Sequence, residues 1–163
     1  MRVVVAIDSF KGSLSSLEAG NAIKDAVLRL DQNADVVVKP LADGGEGTVE
    51  ALASGFDSEV IEVAVHGPLW RRVNAKYCIL KESNTAVIEM AAASGITLVP
   101  PEERNPLETT TYGVGELMKD AINRGCRRFI IGIGGSATND GGAGMLAALG
   151  VQFLDKDNHP IPL

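Results

Sequence analysis

The residues of this chain that could do chemistry gather in three glycine-bearing turns. The richest reads Gly132-Ile133-Gly134-Gly135-Ser136-Ala137-Thr138-Asn139-Asp140-Gly141-Gly142-Ala143-Gly144. Five glycines follow the first within twelve residues, and each adds conformational entropy to the unfolded chain that folding must overcome. A strand-to-helix joint does not need so many, so the pattern predicts a backbone that closely approaches a ligand. Consecutive N–H groups can then point into one concavity, and the N-terminus of a following helix adds partial positive charge; together they suit phosphate oxygens. Ser136, Thr138 and Asn139 would add neutral hydrogen bonds, whereas Asp140 makes sense beside Mg²⁺ or a substrate hydroxyl. The rival explanation is that the glycines serve tight strand-helix packing and Asp140 caps the helix.

A second rival is a nicotinamide-dependent oxidoreductase. Gly132-x-Gly134-x-x-Ala137 matches the dinucleotide fingerprint, and Asp155 lies about 20 residues on, after a strand-like run. Against it, Asn139-Asp140 would bring an acid close to the pyrophosphate. A P-loop is excluded, because no G-x-x-x-x-G-K-[ST] occurs.

The second turn, Asp8-Ser9-Phe10-Lys11-Gly12-Ser13, lies just past the first apolar run, at the edge where open α/β sheets bind ligands. Lys11 can bring a point charge to a phosphate or carboxylate, or it is an ordinary solvated lysine. The third, Asp43-Gly44-Gly45-Glu46-Gly47-Thr48, follows the second run. Its glycines expose N–H groups, and Asp43 and Glu46 could hold a divalent ion, unless Glu46 merely supports the next helix N-terminus. Ser94-Gly95 and Arg104-Asn105-Pro106 precede a later helix, where Arg104 could clamp a carboxylate with two parallel hydrogen bonds or form a surface ion pair. Thr109, Thr110 and Thr111 read as helix N-cap candidates. His66 and His159 have no partners in sequence and give no sign of a histidine-based mechanism.

The elements that must position these turns follow from the apolar pattern. Val3 to Ile7 is a continuous run of the kind buried on both faces of a sheet. A helix follows, opened by a Ser15/Glu18 capping box and carrying Ile23, Ala26, Val27 and Leu30 on one face. Val36 to Val38 is a second strand, and Thr48 to Ser54 a short helix. Val60 to Val65, Arg72 to Leu80 and Ala86 to Glu89 are β-rich segments with turn signals between them, read as a small antiparallel insertion. A second strong helix carries Val114, Leu117, Met118, Ala121 and Ile122 and ends at Gly125. Phe129 to Ile133 is a strand leading into the glycine loop, followed by a helix through Met145 to Leu149 and a last strand at Val151 to Leu154. The expected division is 1–57 as a Rossmann-like α/β segment, 58–106 as a β-rich segment of a second domain, and 107–163 as an α/β segment carrying the glycine loop.

The bulk numbers agree with an enzyme fold. The 163 residues are 45% hydrophobic and 22% charged, enough to bury a real core. A net charge of −6, with the charges scattered, disfavours nucleic acid or an acidic membrane surface as partner. Cys78 and Cys126 have no second Cys or His at metal-ligand spacing and read as buried, reduced thiols of a cytoplasmic protein. No apolar stretch approaches the roughly 20 residues of a membrane helix. Asp155 to Leu163 reads as the middle of a loop, so a longer natural chain is expected.

Four motifs, in order and over nearly the whole chain, resemble the signatures of the bacterial type I glycerate kinases, which phosphorylate D-glycerate with ATP. They are Asp8-Ser9-Phe10-Lys11-Gly12-Ser13, Ala42-Asp43-Gly44-Gly45-Glu46-Gly47-Thr48, Ala91-Ala92-Ala93-Ser94-Gly95 and Gly134-Gly135-Ser136-Ala137-Thr138-Asn139-Asp140-Gly141-Gly142. Family members are more than twice as long, so the resemblance is to an N-terminal portion, which alone is expected to be inactive. It implies two α/β domains around a cleft, one Rossmann-like with a parallel sheet, and ATP and Mg²⁺ as cosubstrates. It favours 2-phosphoglycerate as product, although the residues do not fix which hydroxyl reacts. The expected partner is D-glycerate, with no nucleic acid and no membrane; the oligomeric state is open, with a homodimer as working expectation. In-line transfer needs phosphate neutralisation, hydroxyl positioning and a carboxylate for metal or proton. On that basis Asp140, Lys11 and Asp43 are expected to be catalytic. Ser9, Gly44, Gly45, Glu46 and the stretch Gly134, Gly135, Ser136, Ala137, Thr138, Asn139 are expected to bind the nucleotide. Arg104 and Ser94 are expected at the glycerate, and Asp8 and Asp43 at the metal.

Overall fold

The computed structural model describes residues 1–10 and 13–162. Its first unit is β1 (Arg2–Ile7), α1 (Ser16–Leu30) and β2 (Asp35–Pro40), with the two strands paired in parallel from Arg2↔Asp35 to Ile7↔Pro40. The capping box forms: Ser15 Oγ accepts from Glu18 N at 3.2 Å, and Glu18 Oε2 accepts from Ser15 N at 2.8 Å. The helix approaches the sheet at Gly20, where a Cβ would stand 2.5 Å from Val38 Cγ1.

Two expectations about this unit are corrected. Of β1 only Val5 is buried, and Val4 is 61% exposed, because the pair presents one face to α1 and leaves the other uncovered. On α1 the buried residues are Ser16, Ala19 and Gly20, whereas Ile23 and Leu30, expected inside, are 39% and 92% exposed. Periodicity located an apolar stripe; the close approach at Gly20 decides which side meets the sheet.

After α2 (Thr48–Gly55) comes a four-stranded sheet in the order β3-β4-β5-β6, from β3 (Ser58–His66), β4 (Arg72–Leu80), β5 (Thr85–Glu89) and β6 (Arg128–Gly132). The first three strands are antiparallel neighbours, but β5 takes β6 in parallel, from Thr85↔Arg128 to Glu89↔Gly132. The expected antiparallel insertion is thus the larger part of a mixed sheet that residues of the last third complete. The parallel step needs a long crossover, supplied by α3 (Ala91–Ser94) and α4 (Tyr112–Asn123). Strand alternation splits the core between two faces. Tyr77 and Ile88 pack with Val114, Leu117 and Ala121 of α4, while Cys78 and Val87 pack with Val49 of α2. Both cysteines are buried and unpaired.

The last helix, α5 (Ala143–Ala148), packs against α4. The strand expected at Val151 to Leu154 does not form: Leu154 makes an isolated bridge to Pro160, and Val151 and Leu154 are 45% and 44% exposed. Among the described residues no strand lies beside this run, so it has no ladder to join there.

Candidate functional site

The two sheets meet through backbone. Gly134 N–H donates to Gly44 O at 3.0 Å. A Cβ on Gly134 would stand 2.8 Å from Gly45 Cα, and one on Gly132 would collide with the Gly44 carbonyl. The turn after β2 and the turn after β6 are therefore locked face to face beyond the carboxyl ends of their strands. A cleft of roughly 480 Å³ opens there, onto Asp8, Ser9, Asp43, Glu46, Glu89 and the Gly134-Gly135 backbone. A larger groove of roughly 790 Å³ shares Ser9, Glu46 and Glu89 and runs past Phe10, Leu14 and Lys76. Parts of all three glycine turns are thus brought together. Lys11 lies outside the described residues.

Four carboxylates line the smaller cleft. Asp8 Oδ1 accepts from Ser9 N at 2.6 Å and Asp43 Oδ1 from Gly45 N at 3.0 Å, and each group retains further lone pairs. Among the described residues no three acidic, imidazole or thiol groups gather closely enough to cage a metal ion. One or two carboxylates together with substrate phosphates is the usual way of holding Mg²⁺, and Asp8 and Asp43 fit that pattern.

Glu89 was missed by sequence reasoning, which read it as the end of an apolar strand. Every residue of β5 is buried, Glu89 included. Alternation places it on the Val87 side of the sheet, facing α2, whose N-cap Gly47 has no side chain with which to cap. Glu89 Oε1 accepts from Val49 N at 2.6 Å instead. Burial pushes its carboxyl above the ordinary value, helped by the neighbouring Glu46 charge, against the pull of the Val49, Gly47 and Thr48 amides. A Glu where a strand pattern calls for Val or Ile was the available signal.

The glycine loop differs from expectation. Its tight glycines meet other backbone: Gly132 and Gly134 meet the Gly44-Gly45 turn, and Gly144 has no room for a Cβ beside Thr110 Oγ1 and Tyr112 N. The N-terminus of α5, expected to receive phosphate, faces the protein's own carboxylate. Asp140 Oδ1 accepts from Gly142 N at 3.0 Å, and its Oδ2 accepts from Thr111 N and Thr111 Oγ1, both at 2.8 Å, and from Gly144 N at 3.1 Å. Met145 N in turn donates to Thr111 Oγ1 at 2.9 Å. Burial raises the Asp140 carboxyl, but these hydrogen bonds outweigh it and hold the group below its ordinary value. Asp140 does not line the cleft; it braces α5 against the start of α4. Thr111 occupies the N-cap position of α4, as expected, yet its hydroxyl serves this brace rather than its own helix.

Further along the loop, Ala137 N donates to Ser94 O at 2.9 Å and Thr138 N to Ser136 Oγ at 3.0 Å, so these amides are engaged within the protein. Ser94, expected at the substrate, is fully buried and donates to Met90 O at 3.0 Å. Ser136, Ala137 and Thr138 face a separate cleft of roughly 270 Å³ that Arg104 also lines. Arg104 is exposed, with its Nε donating to Val99 O at 3.3 Å. Asn139 is exposed and lines neither cleft. His66 gains the partner the sequence did not reveal: its Nδ1 lies 3.1 Å from both Glu116 carboxylate oxygens, with Trp70 and Tyr112 packed against the ring.

The same geometry removes the basis for dinucleotide binding. α5 starts at Ala143 rather than directly after the fingerprint, its N-terminus holds Asp140, and Asp155 lies in an exposed turn that accepts His159 N rather than at a strand end.

Comparison with known proteins gives consistent results. The model of the "Glycerate kinase family" matches residues 3–163. The chain is 53% identical over 161 residues to the glycerate kinase of Haemophilus influenzae, covering 99% of this chain and 43% of that protein. It is 52% identical to the glycerate kinase of Bacillus subtilis and 49% identical to the glycerate 2-kinase of Escherichia coli, covering 99% of this chain and 42% of each. Among solved structures it is similar to a Salmonella typhimurium LT2 protein described as a glycerate kinase 2, with a TM-score of 0.83 and 50% identity over 99% of this chain and 43% of that one. The chain thus spans less than half the length of the relatives it matches.

Proposed function

The chain belongs to the glycerate kinase family, and from that premise we propose that the protein transfers the γ-phosphoryl group of ATP to D-glycerate, giving 2-phosphoglycerate. The observation that carries the reading is the convergence of Asp8, Ser9, Asp43, Glu46 and the Gly134-Gly135 backbone on one cleft at the carboxyl edge of the strands, the position where open α/β sheets bind ligands. The product follows the name of the Escherichia coli relative.

Four carboxylates around one cleft repel a triphosphate unless a cation intervenes. Asp8 and Asp43 are the residues that would hold Mg²⁺, which when bound neutralises phosphate charge. Ser9, Gly45, Glu46, Gly134 and Gly135 line the cleft on the nucleotide's side, with Gly44 behind them holding Gly134 through its carbonyl. Lys11, in the first motif, is assigned a phosphate oxygen on its chemistry alone. Asp43 takes the role of the carboxylate that receives the proton of the reacting hydroxyl, since both oxygens of Asp140 are engaged in the brace. The cleft of Arg104, Ser136 and Thr138 adjoins the first at Ile96, which lines both; it suits the carboxylate of glycerate, whose hydroxyl end would extend past Ile96 towards Asp43. Residues 1–57 would form part of a Rossmann-like domain, and the four-stranded sheet part of a second. A cytoplasmic setting fits the two buried free thiols.

In the protein at its full encoded length, ADP release from ATP should require both D-glycerate and a divalent cation. Asp43→Asn should lower turnover by about 100-fold, the ordinary size of a proton-transfer contribution. Absence of glycerate-dependent ADP release in a folded preparation would falsify the reading.

A further inference from the structure

We infer that Glu89 is a positioning residue of the cleft: it holds the Gly44–Gly47 turn, and Glu46 with it, against the carboxyl end of β5. The Gly134 N–Gly44 O bond holds the start of the turn, and Thr48 Oγ1 closes it by donating to Gly45 O at 2.8 Å, but neither ties its Glu46-Gly47 end to β5. The turn's glycines are conformationally permissive, Gly47 sits at φ 93°, and the helix it opens has no side-chain cap of its own. Glu89 supplies that cap from 40 residues away through the 2.6 Å bond from Val49 N. Thr48, between Gly47 and Val49, donates its N–H back to Gly45 O at 3.3 Å, so the turn and the first turn of α2 are continuous. β5 is buried along its whole length between the α2 and α4 faces, which makes Glu89 a rigid anchor. A buried carboxylate in such a strand is costly unless a donor satisfies it, and here the donor, Val49 N, lies in the first turn of α2, directly after the Gly44–Gly47 turn that forms one wall of the proposed site. Both the smaller cleft and the larger groove open onto Glu89 and Glu46. A shift of Glu89 would therefore move the wall between them.

The consequence for catalysis rests on the phosphoryl-transfer reading, whereas the anchoring of the turn does not, and two measurements on the full-length protein separate them. Glu89→Gln keeps the shape but offers one acceptor oxygen and turns an NH₂ group towards backbone N–H donors. Amide hydrogen exchange at Gly47, Thr48 and Val49 should accelerate by about tenfold or more, with α4 unchanged. In the same preparation kcat/KM for ATP should fall by about tenfold or more, as expected of a displaced binding wall, while KM for D-glycerate stays as in wild type. Should Glu89→Gln fail to fold, Glu89→Asp, which withdraws the carboxylate by one methylene, carries the same two expectations. Unchanged exchange in the turn overturns the inference, and so does accelerated exchange with unchanged kcat/KM for ATP. If the wild-type protein releases no ADP with D-glycerate, the phosphoryl-transfer reading falls and the exchange measurement alone decides whether Glu89 anchors the turn.

Discussion

Asp140 accepts four hydrogen bonds, two from Thr111 at the N-cap of α4 and two from Gly142 and Gly144 at the start of α5. Asp140→Asn replaces one acceptor oxygen by a donor and leaves N–H groups unmatched, so it should destabilise the protein by about 1–3 kcal/mol; urea midpoints measure this. The pH dependence has a definite sign. The folded pKa lies below the ordinary aspartate value, so the ionised group stabilises the fold fully above the unfolded pKa. That contribution drains away as pH falls towards the folded pKa. The stability gap between wild type and Asp140→Asn should therefore be widest near neutrality and narrow below about pH 4; a gap that does not change with pH would contradict the brace. The sequence allows this Asp either a helix cap or a catalytic role. The partner that decides between them, Thr111, lies 29 residues earlier, and nothing local in the sequence links the two.

At the scale of elements, the lock between the Gly44-Gly45 and Gly132–Gly134 turns is the feature to test. Gly134→Ala presses a Cβ onto backbone that cannot rotate away, and overpacking of this kind costs about 1–3 kcal/mol. Thermal unfolding should show the loss, and activity should fall with it because the cleft walls shift. Gly55→Ala is the control: it ends α2 with nothing within 4 Å of a Cβ, and should be neutral or stabilising by about 0.5 kcal/mol. Elements governed by local chemistry were legible. The Ser15/Glu18 box opened α1, and the turn signals bounded β4 at Arg72 and Leu80. Features set by a distant neighbour were not: which side of α1 meets the sheet, the pairing of β5 with β6, and the missing strand at Val151 to Leu154. The glycines were read as room for a ligand, but most of that closeness is between two turns of the protein itself.

For the whole molecule, Asp8, Ser9, Asp43, Glu46 and Gly134-Gly135 line one cleft because each follows the carboxyl end of a strand and the Gly44-Gly45 and Gly132–Gly134 turns dock the two sheets at those ends. Arg104 and Ser136 to Thr138 lie at a different cleft, and no spacing in the sequence announced the division. Electrostatics at this scale gives a further expectation. With four carboxylates around the cleft, ATP should raise the melting temperature of the full-length protein only when Mg²⁺ is present. An equal rise in excess EDTA would show that the carboxylates do not need a cation. The central claim is tested most directly by phosphorus NMR of the full-length protein with ATP, Mg²⁺ and D-glycerate. The expected result is loss of the γ-phosphate signal matched by ADP and a phosphate monoester at the 2-position of glycerate. Persistence of the γ-phosphate signal, or its conversion to inorganic phosphate alone, would contradict it.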